Sequence, residues 1–109
     1  MTIYKILRAD EWYDLQLLAE TAGAPVDQSD GFIHFSTAAQ LAETARRHFA
    51  DEANLTVLAM ADSIDPALTW EPSRGGDLFP HLYAPLRIVD VAWAKPLDEA
   101  FAEIYGGAS

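Results

Sequence analysis

The chain has 109 residues, half of them apolar, and a formal net charge of −10 at neutral pH. This length is typical of one domain, so we expect residues 1–109 to share a single core. Arg46 and Arg47 are the only adjacent Lys/Arg pair in this acidic chain. The charge therefore argues against DNA, RNA and acidic membranes as partners.

Cysteine is absent from the sequence, which excludes disulfides, thiolate nucleophiles and cysteine-bound metals. Residues 1–12 lack the basic start and long apolar run of a signal peptide, and no apolar stretch approaches membrane-spanning length. We therefore expect a cytoplasmic protein.

The N-terminal segment predicts a strand followed by a helix. Residues 2–8 are rich in β-branched and aromatic side chains and are too few for a stable helix, so they predict a strand. Asp10 is expected to cap a helix over residues 11–21, in which apolar side chains recur at helical spacing. Gly23 is expected to end this helix.

The next segment predicts a turn, a strand and a second helix. Residues 24–31 are rich in turn-forming types, and the apolar run at residues 32–35 predicts a buried strand. Thr37 and Gln40 have the spacing of a capping box, so they predict the start of a helix that continues through residues 41–49.

The second half predicts mainly strands. Residues 54–61 are almost continuously apolar and predict a central strand, followed by a short strand at residues 68–71. Residues 72–85 contain three prolines and two glycines, which is typical of a long irregular and often functional loop. A last strand over residues 86–94 and a terminal helix over residues 98–105 complete an α+β pattern.

His34 is the first candidate for a functional site. It interrupts an apolar strand just before a predicted helix, where it can join the hydroxyls of Ser36 and Thr37. Helix N-termini bind anions, because their free N–H groups carry partial positive charge. The alternative is a buried histidine bonded to a neighbouring strand, with the hydroxyls only capping the helix.

His81 and Tyr83 form the second candidate. Two residues apart, they project to the same side of extended backbone and can hydrogen-bond a ligand through imidazole and phenol, with Phe79 beside them. The alternative is a loop that Pro80 and Pro85 make rigid, with its aromatic side chains packed on the core.

Glu71 ends a predicted strand and is suited to act as a general base or to hold a ribose hydroxyl. Arg74 follows it closely and is placed at the rim of the same site. The two residues are equally consistent with an ordinary surface ion pair. The three histidines have no local metal-ligand spacing, so no metal site is predicted.

The segments DGFIHFSTAAQLAET (30–44) and DLFPHLYAPL (77–86), with Glu71 between them, resemble the domain-of-unknown-function family 952, DUF952. The resemblance covers nearly the whole chain, from about residue 2 to residue 95. It implies a small bacterial protein with an ADP-ribosyltransferase-like fold. That fold is a split, mixed β-sheet with, here, two main helices and a short C-terminal helix.

Transferases of this fold bind nicotinamide adenine dinucleotide (NAD) between the halves of the sheet, using an early histidine, an aromatic residue and a late glutamate. The resemblance therefore implies catalytic roles for His34, Tyr83 and Glu71, with NAD or ADP-ribose as ligand and ADP-ribosyl or phosphoryl transfer as chemistry. Here, however, Glu71 precedes Tyr83, and the predicted last strand has Asp90 as its only carboxylate.

The leading hypothesis is a cleft that binds a nucleotide-like or other anionic small molecule. Its expected residues are His34, Ser36, Thr37, Phe79, His81 and Tyr83, with Glu71 and Arg74 at the rim. The alternative hypothesis is a non-enzymatic structural or protein-interaction domain, in which both histidine segments are structural. The ligand's identity and the oligomeric state stay open.

Overall fold

The structure is a computed structural model that describes residues 1–106, with every side chain in that range except that of Arg74. Its strands are β1 Thr2–Leu7, β2 Glu20–Thr21, β3 Ile33–His34, β4 Thr56–Ala61, β5 Leu68–Pro72, β6 Leu78–Leu82, β7 Leu86–Arg87 and β8 Trp93–Pro96. Its α-helices are α1 Ala9–Leu18, α2 Pro25–Asp30, α3 Ala38–His48 and α4 Leu97–Tyr105. Short 3₁₀ turns occupy Arg74–Gly76 and Ile88–Asp90.

The strands form three small sheets, and every pairing between the named strands is antiparallel. The first sheet has the order β1-β4-β8, the second β3-β6-β5, and β2 pairs with β7. The fold is therefore α+β, as predicted, but the described sheets are not mixed. A turn of five residues, 73–77, joins β5 to β6, and so short a connection permits only antiparallel pairing.

Strand β4 lies between β1 and β8, and its residues 57–60 are buried. This confirms the predicted central strand. One apolar cluster on the sheet contains side chains from β1, α1, β3, β4, β6 and β7, and the other contains side chains from β1, α3, β4 and α4. Since β1 and β4 contribute to both clusters, their sheet is packed on both faces.

The prediction for the first helix is wrong at both ends. The helix begins at Ala9, because the Glu11 carboxylate accepts a hydrogen bond from the Arg8 backbone N–H at 2.9 Å; Asp10 lies in its first turn. It ends when Ala19 adopts a left-handed conformation with φ 69°. Residues 20 and 21, expected to be helical, pair instead with β7.

The segment predicted as a turn contains α2. Pro25 lies at the start of this short helix, and the Asp27 carboxylate accepts a hydrogen bond from the Ala24 backbone N–H at 2.8 Å. Proline in the first turn and a carboxylate that caps it both favour a helix start. With α2, the structure has four α-helices in its described part rather than two main helices and a short one.

Residues 72–85, predicted to be irregular, contain strand β6 in the middle of its sheet. Pro80 is tolerated there because its carbonyl accepts from the Phe35 backbone N–H at 3.0 Å. In a strand, the N and C=O of one residue point to the same side, so the Pro80 nitrogen, which carries no hydrogen, also faces the β3 side. Strand β3 has only two residues and Pro80 lies beyond them, so no residue of β3 needs a hydrogen bond from this nitrogen.

Residues 86–94 are not one strand, because the 3₁₀ turn Ile88–Asp90 separates β7 from β8. The capping box of α3 is confirmed: the Thr37 hydroxyl accepts from the Gln40 backbone N–H at 3.2 Å, and the Gln40 side chain accepts from the Thr37 N–H at 3.0 Å. The terminal helix is confirmed as α4. Within residues 1–106, no helix is both long and apolar enough to cross a bilayer.

Candidate functional site

Strands β3 and β6 bring the two histidine segments together. His34 and His81 are direct register partners, and their ring centroids lie 5.6 Å apart in an edge-to-face arrangement. The His34 backbone N–H is donated to the Asp27 carboxylate at 3.1 Å rather than to β6. Side chains approach most closely at such non-hydrogen-bonded pairs of an antiparallel ladder.

Asp27, from α2, holds His34 in place. Its Oδ1 lies 2.5 Å from Nδ1 of His34 and accepts the His34 backbone N–H as well. Its Oδ2 accepts the Ala24 N–H and lies 2.9 Å from the ammonium of Lys5. The carboxylate is almost completely buried and meets four donors, which is what burial of a charge requires.

Lys5 is a buried cation on β1 that faces this carboxylate. Its Nζ also donates to the His34 carbonyl at 3.1 Å. Burial is the largest single effect on the Asp27 carboxyl and acts to raise its pKa. The hydrogen bond from His34 and the charge and hydrogen bond of Lys5 together outweigh it and lower the pKa of Asp27 to about 2. Asp27 is therefore ionised at neutral pH.

Asp30, at the end of α2, approaches the other nitrogen of the same ring. Its Oδ2 lies 2.9 Å from Nε2 of His34, and its side chain is 46% exposed. His34 thus has a carboxylate at each ring nitrogen, one buried and fixed, the other exposed.

Glu71, from β5, connects His81 with Tyr83. Its Oε1 lies 2.8 Å from Nδ1 of His81 and accepts the Tyr83 hydroxyl at 2.6 Å. The hydrogen bonds from Tyr83 and then His81 lower the pKa of Glu71, and the same contact with Glu71 raises the pKa of Tyr83. Both side chains therefore lie on one side of the chain, as their spacing predicts.

Phe32 packs among these side chains. Its ring stacks on His81 with centroids 4.1 Å apart and lies 4.7 Å from His34 and 5.2 Å from Tyr83. Such distances are typical of favourable aromatic pairs. One half-buried ring thus fixes the relative positions of both imidazoles and the phenol.

The two histidines line one cleft of about 670 Å³. It lies between strands β1, β3 and β6 and helices α2 and α3. Six basic side chains line it: Lys5, Arg8, His34, Arg47, His48 and His81. Among the described side chains, the carboxylates that line it are those of Asp27 and Asp30.

The predicted residues are placed as follows. Ser36 and Phe79 line the cleft with the two histidines, and the Ser36 hydroxyl lies 3.0 Å from the Thr44 hydroxyl. Glu71 is bonded to His81 and Tyr83 to Glu71, and neither Glu71 nor Tyr83 lines the cleft. Thr37 does not line it either, because its hydroxyl caps α3. The Arg74 side chain lies outside the described part of the structure.

The sequence analysis missed Lys5, Asp27, Asp30 and Phe32. A signal for Asp27 existed, since a proline followed two residues later by an acidic residue is a helix-start pattern. Asp30 and Phe32 stand within the recognised motif around His34. Nothing local marks Lys5, because its partner Asp27 lies on a distant element.

A family model described as a protein of unknown function, DUF952, matches residues 6–94. The chain is also similar to protein CC0527 from Caulobacter crescentus. A crystal structure of CC0527 is 42% identical, with a TM-score of 0.85, over 88% of this chain and 85% of that chain. Its solution NMR structure is 44% identical, with a TM-score of 0.79, over 88% and 84%. No curated protein matches the chain significantly.

Proposed function

This chain belongs to the DUF952 family, and we propose that its cleft binds a nucleotide-like or other anionic small molecule. The observation that carries the proposal is the meeting of His34 and His81 in one cleft, with four further basic side chains on its walls. The whole chain has only ten Lys, Arg and His residues and a net charge of −10. Among the described side chains, three of the seven Lys and Arg residues and all three histidines line this one cleft, and these groups can donate hydrogen bonds to an anion.

The disposition of the basic groups supports the same ligand class. Arg47 is half-exposed and bonded to Glu43 at 2.8 Å, so its guanidinium can turn toward a ligand at little cost. Arg8 donates to both carboxylate oxygens of Glu52, at 2.7 and 3.0 Å, and to Glu11 at 3.5 Å, which leaves two of its five N–H groups for a ligand. A guanidinium donates two parallel hydrogen bonds to phosphate oxygens.

The size of the cleft supports a ligand larger than a free phosphate ion. Small-molecule sites have volumes of roughly 300 to 1,000 Å³, and this cleft has about 670 Å³. Apolar side chains such as the exposed Val26 also line the cleft and can contact a base or ribose.

The finer form of the proposal follows from the resemblance to ADP-ribosyltransferase-like folds and is an analogy. In it the ligand is NAD or ADP-ribose, bound by one cytoplasmic domain. The analogy assigns phosphate or ribose to His34, the aromatic ring to Tyr83 and the stabilisation of positive charge on a ribosyl carbon to Glu71, although Tyr83 and Glu71 do not line the cleft.

The experiment is a melting-temperature titration with NAD, ADP-ribose and 3'-phosphorylated RNA ends. A ligand at one hundred times its Kd stabilises the folded state by about 2.7 kcal/mol, so a binder raises the melting temperature. Arg47→Ala is expected to weaken binding about tenfold. Lys95→Ala is the matched control, because Lys95 is a surface cation paired with one carboxylate, Glu103, and does not line the cleft. No shift with any compound would refute the nucleotide proposal.

A non-enzymatic structural role for both histidine segments is the second candidate. It is favoured by the four donors around Asp27, which show that part of the site is satisfied without any ligand. This candidate predicts that His34→Ala and His81→Ala each lower stability by about 1 to 3 kcal/mol. It also predicts that neither substitution changes the melting temperature shift produced by any anionic compound.

A further inference from the structure

The geometry points to catalysis at this cleft: we propose that His81 and His34 act as general base and general acid in hydrolysis of a ribose 2',3'-cyclic phosphodiester. The inference rests on the proposed function, since it names the substrate class of the same cleft. Its evidence is the different environments of the two paired imidazoles.

His81 has one ring nitrogen available. Only 5% of the residue is exposed, and Glu71 holds its Nδ1 at 2.8 Å. Among residues 1–106, no group whose position is described forms a hydrogen bond with its Nε2. A buried polar atom without a partner is costly and uncommon in folded proteins. His81 lines the cleft and Glu71 does not, so Nε2 is the nitrogen left to meet a bound molecule.

His34 is in the opposite situation. Asp27 lies at its Nδ1 and Asp30 at its Nε2. Both contacts are hydrogen bonds at once only when both ring nitrogens carry protons, because each carboxylate can only accept. Asp27 is buried and fixed, whereas Asp30 is 46% exposed and can swing away when a ligand arrives. The ring then presents an N–H donor at Nε2.

General acid–base catalysis needs one group that can take a proton beside another that can donate one. The two imidazoles are arranged in this way. The rings are direct register partners 5.6 Å apart, so both can approach one phosphate group. In a cyclic phosphodiester, the attacking water must lose a proton and the departing ribose oxygen must gain one. The basic side chains of the cleft favour binding of the phosphate and of the additional charge in the transition state.

The step balances with water as the only co-reactant. Nε2 of His81 takes a proton from water as the water oxygen forms a bond to phosphorus. The bond between phosphorus and the 2' oxygen breaks, and that oxygen takes the proton from Nε2 of His34. The product is a ribose 3'-phosphomonoester. Solvent then removes the proton from His81 and returns one to His34.

The experiment follows hydrolysis of 2',3'-cyclic AMP and 2',3'-cyclic CMP by phosphorus NMR and, in parallel, binding of the products by melting temperature. The informative variants are His81→Asn and His34→Asn. An asparagine amide occupies the position of Nδ1 and keeps the hydrogen bond to Glu71 or Asp27, while Nε2 is lost. Each variant is expected to lower the rate at least about 100-fold, a much larger loss than its loss of product affinity.

Lys95→Ala, outside the cleft, is the control and is expected to hydrolyse at the wild-type rate. Product binding without hydrolysis would overturn the catalytic inference and leave the proposed function standing. Absence of both, together with no melting temperature shift by NAD, ADP-ribose or phosphorylated RNA ends, would overturn both. A wild-type rate in either asparagine variant would also overturn the inference. If His81→Asn fails to fold, His34→Asn decides, because the His34 side chain is 36% exposed.

Discussion

His34 and His81 lie directly opposite each other on paired strands, yet each imidazole is oriented by a carboxylate from a third element. Asp27 on α2 holds the first ring and Glu71 on β5 holds the second. The pairing of β3 with β6 therefore sets the distance between the rings, whereas Asp27 and Glu71 determine that Nδ1 of each ring is hydrogen-bonded. These two determinants can be altered separately by mutation.

Asp27→Asn is expected to destabilise the fold by about 3 kcal/mol, because Lys5 would remain buried without a counter-charge. The free energy of unfolding in urea measures this effect. Asp62→Asn is the control, since Asp62 pairs with the exposed N-terminal amino group at 3.1 Å. Its cost is expected to stay below about 1 kcal/mol. Equal losses of unfolding free energy in the two variants would show that the buried ion pair contributes no more to stability than the exposed one.

Lowering the pH is expected to remove the contribution of the Asp27 carboxylate to the stability of the fold. Its pKa is about 2 in the folded protein against an ordinary value of 3.8, so the unfolded state binds more protons between these values. The stabilisation, about 2 kcal/mol, is complete above roughly pH 5 and is lost as the pH falls toward 2. Other carboxylates titrate in the same range, so the stability difference between wild type and Asp27→Asn is the quantity to follow. A difference that stays constant from pH 6 to 2 would contradict this assignment.

Gly23→Ala is expected to disrupt the support of the site. Gly23 has φ 102°, and a Cβ there would lie 2.5 Å from Cβ of Asp27 and 2.6 Å from its Oδ2. Steric overlap and backbone strain together are expected to cost roughly 3 kcal/mol in unfolding free energy. Gly31→Ala is the control, because Gly31 also has a positive φ, 87°, but a Cβ there would meet nothing within 4 Å. Gly31→Ala is expected to lower the free energy of unfolding by about 1 kcal/mol. An equal loss at both positions would show that overlap with Asp27 is not what destabilises Gly23→Ala.

Tyr83→Phe is expected to raise the pKa of Glu71 toward its ordinary value of 4.5, because it removes the hydrogen bond that lowers that pKa most. Carbon NMR of the Glu71 carboxyl across pH 2 to 7 follows the change. Tyr105→Phe provides a comparison, since the Tyr105 hydroxyl donates to the Ala38 carbonyl, away from Glu71. An unchanged Glu71 titration in Tyr83→Phe would mean that His81 alone sets this pKa.

Local signals were enough to predict several elements. Thr37 and Gln40 form the capping box that their spacing indicated, and the apolar run at residues 54–61 contains the central strand β4. Both predictions depend on residues adjacent in sequence. The meeting of the two histidine segments was expected from the family resemblance rather than from either segment's own pattern.

The elements that were missed depend on distant partners. Pro80 argues against a central strand, and only the position of the short strand β3 explains why it is tolerated. Lys5 is one polar residue in an apolar strand, and its role follows only from the packing of α2 against β1. The two glycines and three prolines of residues 72–85 led to the prediction of a loop, although the same segment contains strand β6.

The buried contact between Lys5 and Asp27 also bears on how fast a ligand can enter. It ties the N-terminal strand to α2, and α2 to His34, so three walls of the cleft are fastened to one another. Separating them would require breaking a buried ion pair, which is costly. Association is therefore expected to be a single step, with an observed rate that rises linearly with ligand concentration and no slow closing phase.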